Sequence, residues 1–160
     1  MNNLLDKEPV QRVEKILAQF DQSIKIQILD KTARTAKDAA ESLNTEVGSI
    51  VKSLLLRTKT SFLLCLVAGD KRCSLNKVKK LLNQKDISMA NAEQVKEITG
   101  FTIGGVSPVG HLNKIDIYID ESLKRFEKIF AAAGHPNCVF KITYDDLIKI
   151  TKGSEKEISE

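Results

Sequence analysis

The sequence predicts an α/β domain built on a mixed sheet, and three observations carry that prediction. Apolar residues switch repeatedly between 3–4 spacing and strict alternation, the marks of amphipathic helices and half-buried strands. Several strand-like runs are separated by turns of only a few residues, which suits antiparallel neighbours rather than a purely parallel sheet. No internal repeat, low-complexity tract or linker divides the 160 residues, so one domain is expected over 1–160, with 1–8 and 152–160 fraying.

In order, Pro9–Phe20 reads as a helix with Pro9 in its first turn and Val13, Ile16, Leu17 and Phe20 on one face. Ile24, Ile26 and Ile28 alternate with Lys25 and Gln27, as in a strand. Thr35-Ala36-Lys37-Asp38 has capping-box spacing and opens a helix carrying Ala36, Ala39, Ala40 and Leu43. Ser49–Arg57 and Ser61–Ala68, split by Thr58-Lys59-Thr60, read as a hairpin at the centre of a sheet. Leu75–Leu82 follows Ser74 as a short helix, and Asn91-Ala92-Glu93-Gln94 caps another through Ile98. Lys114–Ile119 alternates as a strand. Asp120–Ala133 fits either one helix or a short helix followed by a strand near Lys128–Ala132. Gly134–Asn137 is a turn, Cys138–Ile142 a strand, and Thr143 caps a helix to about Ile150.

Composition bounds the function. The formal charge is +4, which permits a nucleic-acid partner without requiring one. Cys65, Cys73 and Cys138 form no C-x-x-C pair, and two histidines make a zinc site a poor expectation; no metal and no cofactor are predicted. The polar start does not resemble a signal peptide, and no apolar run approaches the length of a membrane span. A reduced, cytoplasmic protein with no membrane partner is expected.

Four of the eight glycines, Gly100, Gly104, Gly105 and Gly110, fall within eleven residues around Ser107-Pro108. Such a segment turns sharply and leaves its amides bare, able to meet an anionic or carbonyl oxygen. Lys52 is the sharpest anomaly, because alternation places it with Ile50, Leu54 and Leu56. A lysine there either snorkels to the rim or offers a cation to a pocket, for a phosphate or for an oxygen gaining charge in acyl transfer. Ser53 and Ser107 lack the G-x-S-x-G setting of a nucleophile, and Ser107 suits a loop-fixing hydrogen bond. His111 and His135 are conceivable general bases that rank below Lys52. Lys71, Arg72, Lys77, Lys79, Lys80 and Lys85 form a basic run that serves either as a solvated helix face or as phosphate contacts.

Three stretches in this order carry a resemblance. They are Arg34-Thr35-Ala36 through Gly48-Ser49-Ile50-Val51-Lys52-Ser53-Leu54, then Thr102–Gly110, then Ala131-Ala132-Ala133-Gly134-His135-Pro136 with Val139-Phe140. Together they resemble the YbaK / prolyl-tRNA-synthetase-associated domain family of freestanding aminoacyl-tRNA editing deacylases. The resemblance implies a curved, barrel-like mixed sheet wrapped by helices. It implies hydrolysis in trans of the ester on a mischarged tRNA, typically tRNA(Pro), with prolyl-tRNA synthetase as a possible associate. The family's lysine matches Lys52. Its glycine loop matches Gly104, Gly105, Ser107, Pro108 and Gly110, and its late turn matches Gly134, His135 and Pro136. Lys52, Gly104 and Gly105 are thereby expected in catalysis. Ser53, Ser107, Pro108, Gly110, Gly134, His135 and Pro136 are expected to line the substrate, and Lys77, Lys79 and Lys80 to contact tRNA. The cysteine-specific branch carries a late Gly-x-Arg-Gly turn, where this chain has Gly134-His135-Pro136-Asn137, so it looks more like the other freestanding branch. The rival expectation is a non-catalytic accessory module that docks on tRNA or on a synthetase.

Overall fold

The computed structural model describes residues 3–30 and 35–160; Arg34, the first residue of the motif quoted above, lies outside them. Helix α1 (Glu8–Phe20) buries Val10, Val13 and Leu17, the stripe its 3–4 spacing marks. The Thr35 hydroxyl caps α2 (Ala36–Leu43) by accepting from the Asp38 amide at 3.1 Å. Ser74 does the same for α3 (Leu75–Leu82), and Asn91 with Gln94 completes a reciprocal capping box on α4 (Ala92–Thr99). Thr143 caps α5 (Tyr144–Thr151).

Among the described residues, eight strands form two open sheets. The larger has the order β4 (Ser88–Met89), β2 (Val51–Arg57), β3 (Phe62–Ala68), β5 (Asp116–Asp120), β8 (Ser154–Lys156). The smaller runs β1 (Ile26–Ile28), β7 (Cys138–Ile142), β6 (Ile129–Ala132). The β2–β3 pair is the expected hairpin, with Val51 opposite Ala68 and Lys52 opposite Val67, and β3 then pairs in parallel with β5. The sheet is mixed, as the short turns suggested. Strand β3 is covered on both faces: Leu64 and Leu66 enter the main core, Leu63, Cys65 and Val67 the smaller core under α3. That explains its unbroken apolar run.

The structure corrects three expectations. In place of one barrel-like sheet there are two that do not close into a barrel; they share the main core, and among the described residues one isolated backbone bridge, Ile50 to Phe130, links them. Strand β4 covers β2 only at Leu56 and Arg57, and the earlier part of that edge has no strand partner among the described residues. The tail does not fray: β8 pairs with β5, Ile158 is fully buried, and its amide donates to the buried carboxylate of Asp120 at 2.7 Å. The Ile158 carbonyl also accepts from the Ser74 amide at 2.7 Å, and Glu160 exchanges backbone hydrogen bonds with Arg72, so the tail is docked along its length. The start is likewise ordered from Leu4, whose side chain and that of Leu5 pack against the main core. The ambiguous stretch resolves as a 3-10 turn (Glu121–Arg125) followed by β6.

Candidate functional site

The open edge of β2 is where the site forms. Residues 50–54 line a cavity of about 300 Å³ closed by α2, the glycine loop, β6 and the start of β7. Its walls are mostly apolar, with Ala36, Ala39, Leu54, Phe130 and Val139 among them, and Lys52 is the only charged residue lining it among the described residues. Backbone groups on the uncovered edge alternate in direction along the strand. The Leu55 carbonyl accepts from Ala90 on that side, so the Ser53 main chain faces the same way, toward the cavity. The Ser53 hydroxyl is buried and has no hydrogen-bond partner among the described residues.

Lys52 and Gly104 both line this one cavity. The ammonium, however, leans over the rim and donates to the Lys71 carbonyl. Partial burial lowers the Lys52 pKa, with Arg72 adding to that effect and Cys73 and Asp70 opposing it.

The glycine loop is divided between the cavity and the scaffold behind it. Ile103, Gly104 and Val106 reach the cavity, and the Gly104 and Val106 amides have no acceptor among the described residues. Gly104 sits at φ +95°, where a side chain would be strained. The Gly105 amide is consumed by a turn, donating to Thr102 at 2.9 Å, while its carbonyl accepts from Gly134 at 3.1 Å. Gly105 is therefore a close-approach glycine: a Cβ there would stand 3.0 Å from the His135 backbone. Ser107 is fully buried and fixes the loop, its hydroxyl accepting from the Val109 amide at 3.2 Å. Pro108 and Gly110 line a different groove together with His111. His111 Nε2 donates to the Ser107 carbonyl at 2.7 Å, and burial pushes its pKa down.

In the late turn only Pro136 lines the cavity; Gly134, at φ +93°, presses against the Pro9 carbonyl of α1, and His135 Nδ1 accepts from the Asn137 amide at 3.0 Å. The lysines of α3 lie away from the cavity: Lys77 pairs with Glu157 and donates to the Ser159 carbonyl, and neither Lys79 nor Lys80 lines it. Of the predicted residues, then, Lys52, Ser53, Gly104 and Pro136 are brought together, while Gly105, Ser107, Gly110, Gly134 and His135 shape or back the loops behind them.

Sequence reasoning missed two contributions. The α2 wall had a faint signal in its small residues, Ala36 and Ala39. Arg12 had none. Its guanidinium donates to the Gly110 carbonyl at 2.9 Å and the Gly100 carbonyl at 3.0 Å, lies 4.7 Å from the Phe101 ring centre, and pairs with Glu8. It clamps both ends of the glycine loop to α1. Among the described residues no three His, Cys, Asp or Glu side chains group in metal-binding geometry, and no helix is long and apolar enough to cross a membrane.

Comparison with known proteins identifies the family. The model of the aminoacyl-tRNA editing domain matches residues 30–150. The chain is 33% identical over 119 residues to the uncharacterized protein YwhH of Bacillus subtilis, covering 74% of this chain and 75% of that one. It is 27% identical over 126 residues to EbsC of Enterococcus faecalis, a candidate Cys-tRNA(Pro)/Cys-tRNA(Cys) deacylase, covering 78% and 77%. A proline–tRNA ligase of Caldicellulosiruptor saccharolyticus matches at 29% over 145 residues, 91% of this chain but only 24% of the ligase, so the chain spans about a quarter of that relative. A crystal structure described as a candidate trans-editing enzyme for prolyl-tRNA synthetase superposes with a TM-score of 0.90 at 35% identity, over 96% of this chain and 98% of that one. With an editing-domain match across most of its length and a full-length fold likeness to a freestanding relative, the chain belongs to the aminoacyl-tRNA editing domain family.

Proposed function

We propose that this protein is an aminoacyl-tRNA deacylase acting in trans, hydrolysing the ester between an incorrect amino acid and the terminal ribose of a tRNA, with tRNA(Pro) as the substrate. The observation that carries the reading is the shared cavity: Lys52 at its mouth, Gly104 and Val106, whose amides have no acceptor among the described residues, on one wall, and apolar walls between.

In this reading the amino-acid side chain enters the apolar cavity, and the acyl carbonyl faces the Gly104 and Val106 amides. Those amides stabilise the oxyanion that forms as the carbonyl carbon is attacked, and fixed donors at developing charge are a large term in acyl transfer. The Ser53 main chain, on the open strand edge, orients the aminoacyl group. Lys52 leaves the Lys71 carbonyl to bind the phosphate of the terminal nucleotide. Water adds to the carbonyl, the ester C–O bond breaks, and the products are a free amino acid and a tRNA with its hydroxyl restored. Selection rests on the size of the cavity, and one methylene is worth only ~1–3 kcal/mol there, so the site is suited to small side chains.

The test is a deacylation panel of Ala-, Cys- and Ser-tRNA(Pro). At least one is expected to lose its amino acid well above the buffer rate, and Lys52→Ala to slow that turnover by about tenfold or more with the urea midpoint unchanged. No turnover of any member, or full activity in Lys52→Ala, would overturn the reading. Binding of tRNA without any hydrolysis would establish the accessory-module alternative in its place.

A further inference from the structure

Lys52 belongs to two hollows. Besides the apolar cavity it lines an open trough of about 580 Å³, whose other walls are Gly69, Asp70, Lys71, Arg72 and Glu160. The ammonium already points that way, since its acceptor is the Lys71 carbonyl. The trough is the turn that links β3 to α3, so the mouth of the cavity and the turn share one edge.

Resting on the deacylase reading, we propose that this trough carries the RNA strand immediately before the terminal nucleotide, with Lys71 and Arg72 holding its phosphates. The strand then leaves the cavity over Lys52 and the 69–72 turn, and not along α3.

The charge arrangement favours this route. Three cations face the trough against two acids. Asp70 is already neutralised by a two-pronged pair with Arg125, at 2.6 and 2.9 Å. The Lys71 and Arg72 side chains make no ion pair among the described residues, so both remain available to a phosphate. On α3, Lys77 is committed to Glu157 and the Ser159 carbonyl, while Lys79 and Lys80, which also make no ion pair among the described residues, line neither of the two hollows that Lys52 lines. Single strands are held by a cationic groove that follows the backbone, and the trough opens where such a strand would emerge. Of the two acids lining the trough, Glu160 has no ion pair among the described residues, and it gives the proposal a signed control.

The experiment measures anisotropy of a labelled single-stranded RNA oligonucleotide ending in a 3′-adenosine, titrated with the whole chain at several salt concentrations. The Lys71→Gln/Arg72→Gln variant is expected to bind about tenfold more weakly, with the slope of log affinity on log salt reduced by about 1.4, two phosphate contacts' worth. Glu160→Gln is expected to bind more tightly. Lys79→Gln/Lys80→Gln is expected to change affinity less than twofold. Thermal melts establish that each variant is folded. A larger loss in the α3 variant than in the turn variant, or no RNA binding by the unaltered chain, overturns the route. Deacylation separates this from the underlying reading. With turnover present, the turn variant should lose more on an aminoacyl-tRNA than on an aminoacyl-adenosine lacking preceding phosphates, and an equal loss on both counts against the route. RNA binding that follows the predicted pattern with no turnover of any ester would overturn the deacylase and leave the route standing.

Discussion

The two sides of the cavity mouth are built on opposite plans. The glycine loop is over-determined: Arg12 ties both its ends, Ser107 and His111 brace its interior, and Gly134 and Gly105 lock it to the late turn. The cationic rim is a single flexible side chain resting on one carbonyl. Amides that must meet a developing charge gain from being fixed in advance, because no reorganisation is then needed during reaction. In the proposed reaction the cation releases a carbonyl and takes up a phosphate, and a long, flexible stem suits that exchange. Stability should therefore be concentrated on one side and substrate affinity on the other.

The strongest way to break that contrast is Gly134→Ala. The residue sits at φ +93° and its Cβ would stand 2.7 Å from the Pro9 carbonyl, so backbone strain and collision add. A loss of about 2–4 kcal/mol in urea unfolding is expected, with activity falling alongside; a stability change below 1 kcal/mol would show that the turn is not the rigid partner described. Next is Arg12→Gln, which removes a charged donor from two loop carbonyls. About 1.5–3 kcal/mol should be lost, and KM should rise more than kcat falls if the loop loosens before it collapses.

The smallest effect, and the sharpest, is in pH. Burial lowers the His111 pKa, so the unfolded chain takes up a proton before the folded one does as pH falls through the ordinary histidine range. Stability from this group is complete above that range and declines below it. His111→Gln should flatten this acid limb in melting temperatures. Turnover should instead decline on the alkaline side, and earlier than for an ordinary lysine, because the Lys52 pKa is also lowered by partial burial. Both limbs moving together in His111→Gln would contradict the division between wall and rim.

Local signals in the sequence were reliable where the physics is local. Caps at Thr35, Ser74, Asn91 and Thr143 announced four helices, because a side chain and an amide three residues on need nothing else to pair. Alternation placed β1 and β5, and two apolar runs around Thr58-Lys59-Thr60 placed the β2–β3 hairpin. The two-residue β4 carries too little pattern to be read. The tail misled because its docking depends on Asp120, a partner distant in sequence, and nothing in Ser154–Lys156 itself records that. In the site, Lys52 was visible as a cation among aliphatics. Arg12 was invisible because its partners are carbonyls, which every residue has. Gly105 was legible as a glycine but not in its role, since only the fold reveals that its amide is spent on a turn and its missing side chain makes room for the His135 backbone.

Strand β3, Phe62-Leu63-Leu64-Cys65-Leu66-Val67-Ala68, carries no charge and no proline, and in the native fold it is sheathed on both faces and paired along both edges. Released from the fold, the same seven residues are a self-pairing segment of the kind that seeds intermolecular cross-β stacking. Lys59 on one flank and Asp70-Lys71-Arg72 on the other then act as gatekeepers, discouraging stacked copies by repulsion. Neutralising that charged turn would thus tax recovery from denaturant as aggregation rises with protein concentration, even in variants whose folded form is sound.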